Sequence, residues 1–84
     1  MTRQTITKKV TDVISATMGI NLPDIDKIMS ELGVDIIDLF DIRIGLEIEF
    51  KKNLPDGIPE EFDDEVWDMT ISEIVDYIES LKEN

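Results

Sequence analysis

Apolar side chains recur along the chain in more than one rhythm. Between Gln4 and Thr17, Ile6, Val10, Val13 and Ile14 fall at three- and four-residue spacings, and Met18 continues the series. That is one buried face of an amphipathic helix, and Gly19 follows as a stop signal. The next stretch, "NLPDIDKIMSELGVD", loses the period. Pro23 restricts the backbone of Leu22, and the Asn, Asp and Gly residues favour turns. It reads as a long loop with Ile25, Ile28 and Leu32 tucked inward.

Residues 36–50 carry two rhythms at once. Ile42-Arg43-Ile44-Gly45-Leu46-Glu47-Ile48-Glu49-Phe50 alternates apolar and other residues, which taken alone is a strand pattern. Ile36, Phe40, Leu46 and Phe50, helped by Leu39, instead fit a helical stripe, with Phe40 in the core. Asp35 suits a helix N-cap. No second convincing strand exists in the sequence, and a lone strand cannot satisfy its backbone N–H and C=O groups. The segment is therefore read as a helix. Gly45 costs that helix about 1 kcal/mol relative to Ala, so Gly45→Ala is expected to stabilise if no neighbour needs the space.

"KKNLPDGIPEEFDDEVWDM" is a turn-rich connection. Pro59, Glu60 and Glu61 read as the first turn of a short helix through Phe62, with Val66 and Trp67 packing inward. Thr70-Ile71-Ser72-Glu73 is a capping box. Ile71, Ile74, Val75, Ile78 and Leu81 then form a clean helical stripe. The fold expected is all-α: a small irregular four-helix bundle of three main helices and a short one, with a long loop between the first two. Residues 1–84 are expected to form a single domain.

Charge changes this picture more than size does. The 84 residues carry 20 acids against 8 bases, a formal net charge of −12. Self-repulsion should make the fold sensitive to low ionic strength. Arg3, Lys8 and Lys9 face Asp12 alone in residues 1–20, and the rest is strongly acidic. Such a surface repels nucleic acid and anionic membranes and suits a partner with a basic patch. Competing for nucleic-acid-binding sites as an acidic decoy has net charge alone in its favour. There is no Cys and no His, which removes disulfides, thiol nucleophiles, ordinary zinc sites and Ser-His-Asp chemistry. No apolar run is long enough to span a membrane and no signal peptide is evident, so a cytoplasmic monomer is the expectation. Asp63, Asp64 and Glu65 are adjacent, but no calcium-loop spacing accompanies them, and no metal site is assigned.

Two blocks carry a resemblance. "LGVDIID" runs from Leu32 to Asp38 and "LEIEF" from Leu46 to Phe50, at the spacing that acyl carrier proteins place between Leu-Gly-x-Asp-Ser-Leu and Leu-Glu-x-Glu-Phe. Ile58-Pro59 echoes the family's later turn, and Thr70 to Ile78, with its "DYI", resembles the closing helix. The resemblance spans nearly the whole chain. It implies an acyl-carrier-like bundle and a protein that is no enzyme. The family's serine carries a 4'-phosphopantetheine arm, and its members deliver the tethered acyl groups to lipid or polyketide biosynthetic enzymes.

Ile36 occupies the position of that serine. Without a hydroxyl no phosphodiester forms there, so the resemblance implies a carrier with no cofactor in this form, and with phosphopantetheine if position 36 were serine. One reading is a specialised carrier locked in its apo state. The other is a natural pseudo-carrier, a docking or regulatory protein without cargo. Arg43 and a lengthened segment between Phe50 and Thr70 also depart from the family. Read alone, the acids of this helix are a solvated face. The resemblance instead assigns Asp35, Ile37, Asp38, Asp41, Glu47 and Glu49 to docking. The partners implied are acyl-transfer, elongation or modifying enzymes with basic patches, and a phosphopantetheinyl transferase for a serine form.

Overall fold

A computed structural model describes residues 2–21 and 23–82 of the chain. The expectation for Leu22 falls outside them. The elements are α1 (Arg3–Met18), a 3-10 turn (Met29–Leu32), α2 (Ile36–Glu49), the short α3 (Phe62–Glu65) running into a second 3-10 turn (Val66–Asp68), and α4 (Ile71–Lys82). No β-strand occurs among the described residues, and the segment with the alternating pattern is helical. The architecture is the all-α four-helix bundle expected.

The helix ends follow from local chemistry. The Thr2 hydroxyl accepts from the Thr5 N–H at 3.2 Å and opens α1. Gly19 closes it in the left-handed region at φ 66°, donating its N–H to the Ser15 carbonyl, a conformation that costs residues with a Cβ more. At α4 the capping box forms in both directions: Glu73 N–H to the Thr70 hydroxyl at 3.1 Å, and Thr70 N–H to the Glu73 carboxylate at 3.0 Å.

One apolar core joins all the helices. α1 contributes Ile6, Val10, Val13 and Ile14, α2 contributes Leu39, Ile42 and Leu46, and α4 contributes Ile71, Ile74, Val75 and Ile78. Phe50, Leu54, Ile58, Phe62 and Val66 close it from the connection after α2. Phe62 also meets the Tyr77 ring at 5.5 Å, tilted by 58°. No buried polar side chain is left without a partner among the described residues.

The second half of the connection between α1 and α2 is pinned rather than loose. Met29 is fully buried and donates its N–H to the Met69 carbonyl at 3.0 Å, beside a single bridge between Ile28 and Thr70. Val34 N–H then returns to the Met29 carbonyl at 3.2 Å, which sets where α2 begins. Ile28 and Leu32 are half-buried, but Ile25 is exposed. The inward placement expected for Ile25 is wrong because Met29 fills the core at this level.

Four further expectations are corrected. The short helix starts at Phe62 rather than at Pro59. Pro59, Glu60 and Glu61 form the turn before it, their carbonyls accepting from Phe62, Asp63 and Asp64. Trp67 is exposed, because Val66 takes the inward position of that turn. Phe40 is also exposed, because the buried face of α2 runs through Leu39, Ile42, Leu46 and Phe50 instead. Gly45 is helical and faces α1. A Cβ added there would come 2.8 Å from Val13 Cγ1. The close α1–α2 approach needs that space, so the expected gain from Gly45→Ala is overturned.

Candidate functional site

The start of α2 is built by a reciprocal pair of carboxylates. Asp35 is the N-cap and accepts from the Asp38 N–H at 2.9 Å, while the Asp38 carboxylate accepts from the Asp35 N–H at 3.0 Å. Both acids also sit at the positive end of the helix dipole, which favours them. Ile36 is the first helical residue after this cap, and its side chain points outward.

From there a row of large apolar side chains runs along the outer face of α2. Ile36 is 67% exposed, Ile37 69%, Phe40 47%, Ile44 40% and Ile48 70%. At 3.6 residues per turn, Ile37, Phe40, Ile44 and Ile48 share one face. Asp38, Asp41 and Glu49 fall on one flank and Glu47 on the other. α2 thus has an inner face in the core and a second apolar face in water, a candidate surface for contacts outside the chain.

Arg43 ties this helix to α3. Its Nε donates to Asp63 at 3.0 Å and its Nη1 to Glu47 at 3.2 Å, with the side chain 13% exposed. The guanidinium also lies 5.2 Å from the Phe40 ring centroid. The hydrogen bond to Asp63 is the main cause of a raised Arg43 pKa, with burial opposing it. Beside this link, a shallow groove between α2 and α3 is lined by Ile36, Leu39, Asp63, Asp64, Trp67 and Asp68.

The residues singled out from the sequence thus differ in availability. Asp35, Ile36, Ile37 and Asp41 are exposed, and Asp38 is half-buried within the cap. Glu47 is held by Arg43, and Glu49 by Lys9 at 3.2 Å. Their charges are partly satisfied within the chain. Sequence reasoning missed Phe40, Ile44, Ile48 and Trp67 as surface residues. The signal for α2 was present: its apolar positions cover too much of the circumference for one buried face. Among the described residues no group of three or more potential ligands gathers to hold a metal ion, and no helix is long and apolar enough to cross a membrane.

Known proteins match this chain over nearly its full length. It is 33% identical over 81 residues to the acyl carrier protein of Chlorobium phaeobacteroides, covering 93% of this chain and 96% of that one. The acyl carrier protein of Chlorobium phaeovibrioides matches at the same identity and coverage. That of Cyanidioschyzon merolae is 32% identical over 91 residues, spanning all of this chain and 93% of its own. Neither a family model nor a solved structure matches.

Proposed function

The chain belongs to the acyl carrier protein family, and we propose that it is a specialised carrier held in its apo state by Ile36. The observation that carries this reading is the placement of Ile36. It is the first residue of α2, directly after the Asp35 cap, with an exposed hydrocarbon side chain where a carrier needs a hydroxyl. The family's phosphopantetheine does not fit the residues present. Residues 33–38 are Gly, Val, Asp, Ile, Ile and Asp, with no hydroxyl among them. Ser30 lies within the 3-10 turn and Ser72 in the first turn of α4, both half-buried. Neither presents a hydroxyl after an acidic helix cap.

What this chain's residues do instead is present α2. The acids Asp35, Asp38 and Asp41 attract a basic patch and raise the association rate. Ile37 and the apolar row behind it supply the desolvated contact that holds the complex. Glu47 and Glu49, the other two acids assigned to docking, are tied to Arg43 and Lys9, so their charges are partly taken up within the chain. The partners are enzymes that act on carrier-bound acyl groups in lipid or polyketide synthesis, met by a monomer in the cytoplasm. The chain itself does no catalysis.

Mass spectrometry tests the reading. After incubation with a phosphopantetheinyl transferase and coenzyme A, the mass of this chain stays unchanged, whereas the Ile36→Ser form gains one phosphopantetheine. Modification of the chain as it stands would overturn the assignment of position 36. A serine form that is modified, yet passes no acyl group to any carrier-dependent enzyme, would favour a pseudo-carrier that docks without cargo.

A further inference from the structure

The outer face of α2 is electrically uneven from end to end. At the N-terminal end, Ile36 and Phe40 share a groove with Glu60, Glu61, Asp63, Asp64 and Arg43, whose charge is taken up by Asp63 and Glu47, and Asp35, Asp38 and Asp41 stand on the same two turns. At the C-terminal end, Ile48 shares a groove with Lys9, Glu49, Lys51 and Lys52. Glu49 is taken up there by Lys9. Lys51 and Lys52 are exposed, and neither forms an ion pair with a described carboxylate.

Lysines just past a helix C-terminus complement its dipole, and that alone would account for them. It does not account for Ile48, which has the highest fractional exposure of the large exposed hydrophobics and sits between the lysines and the rest of the apolar row. Three of the chain's 8 bases thus gather around one end of an unpartnered apolar face, in a protein of net charge −12.

We infer that this face is a bipolar docking surface for a protein of complementary pattern. The partner carries an apolar strip, a basic patch that meets Asp35, Asp38 and Asp41, and an acidic patch that meets Lys51 and Lys52. The inference rests on α2 being the docking helix. The two ends lie about 20 Å apart along the helix, more than two Debye lengths at physiological salt, so each meets its own patch. A uniformly acidic helix would accept a basic groove in either direction. This one accepts one direction, because the reversed pose sets like charges against each other at both ends.

Two synthetic amphipathic helical peptides with the same apolar face test it. One carries lysines throughout. The other carries lysines in one half and a smaller number of glutamates in the other, keeping its net charge positive and bearing a nitroxide label at the glutamate end. Affinities are measured by fluorescence anisotropy at physiological ionic strength. The proteins are the chain as it stands, the Lys51→Glu/Lys52→Glu form, and Lys27→Glu as a control that also adds negative charge.

Reversal at 51 and 52 is expected to weaken the mixed peptide by about three- to tenfold, from the small worth of each exposed pair, and to tighten the all-lysine peptide. The label should broaden amide resonances around Ile48 to Leu54 and leave those around Asp35 sharp. If the reversal tightens both peptides, as added negative charge alone does in Lys27→Glu, the lysine end lies outside the docking face and the inference falls. If neither peptide perturbs α2 resonances, the docking role of α2 fails with it.

Discussion

α4 and α2 are of similar length and both rich in isoleucine, yet they treat it in opposite ways. In α4, Ile71, Ile74 and Ile78 are all fully buried, with acids and Ser80 on the outer side. In α2, Ile42 alone among five isoleucines is buried. The difference lies in what each helix leaves unpaired. α4 spends its whole apolar stripe on the core. α2 fills its inner face with Leu39, Ile42 and Leu46 and has a second apolar face left over. A stripe that matches the core marks a structural helix; α2 carries apolar surface beyond what its core face needs.

The sharpest way to break this contrast is to truncate one isoleucine from each helix. Ile74→Ala should lose about 3 kcal/mol of stability, from lost burial plus the cavity left behind. Ile48→Ala should change stability by less than about 0.5 kcal/mol. Urea midpoints at equal salt measure both. A comparable loss at Ile48 would mean that its face is packed after all.

Next in size is the seam where α2 meets α1. Gly45→Ala sets a methyl against Val13 and should cost about 1–3 kcal/mol, as overpacking of a tight contact does. Pairing it with Val13→Ala should recover part of that loss, and a double-mutant cycle on melting data reads the coupling. A stabilised Gly45→Ala form would mean that helix propensity outweighs the contact.

Arg43 offers the third handle, because it holds the outer side of α2 to α3. Arg43→Met keeps much of the hydrocarbon stem and removes the bonds to Asp63 and Glu47. It should cost about 1–2 kcal/mol, at the low end for hydrogen bonds to charged groups, because Asp63 and Glu47 keep access to water. Hydrogen exchange should quicken over residues 60–68 while α1 and α4 stay protected. Uniform quickening would show that the link supports the whole fold rather than the α2–α3 edge.

The smallest effect concerns Ile36. With two-thirds of its surface in water, Ile36→Ser should destabilise by about 0.5 kcal/mol, a fraction of what full burial gives. That is less than an isoleucine folded over its neighbours would lose. A urea midpoint shift several times larger would show that Ile36 closes over the Leu39–Trp67 groove in solution.

The sequence was most legible where one rhythm had one cause. The caps at Asp35 and Thr70, the stop at Gly19, and the stripes of α1 and α4 follow from spacing and chemistry within a few residues. α2 was legible as a helix but out of phase. Phe40 looked like core because large aromatics usually are, and choosing between Phe40 and Ile42 requires knowing where α1 lies. Gly45 looked like a cost to the helix because its use is a contact with Val13, far away in the chain. Trp67 and Ile25 went astray for the same reason: a neighbour, Val66 or Met29, had already taken the inward place. At the candidate site, the blocks around Ile36 could be read directly. The bonds of Arg43 to Asp63 and of Lys9 to Glu49 depend on tertiary placement and could not.

The pinned connection before α2 has a consequence for the order of folding. The Met29–Met69 bond and the Ile28–Thr70 bridge join parts of the chain that are distant in sequence, so closing them costs loop entropy that neighbouring helical turns do not. The Asp35 cap stands one hydrogen-bonded step downstream, through Val34 and Met29. The helices can form and collide early, but the start of α2 acquires its final aim after the far strand of backbone at Met69 arrives. It should therefore be among the last parts to settle and the first to fray, so that Ile36 stands at the end of α2 most recently set in place.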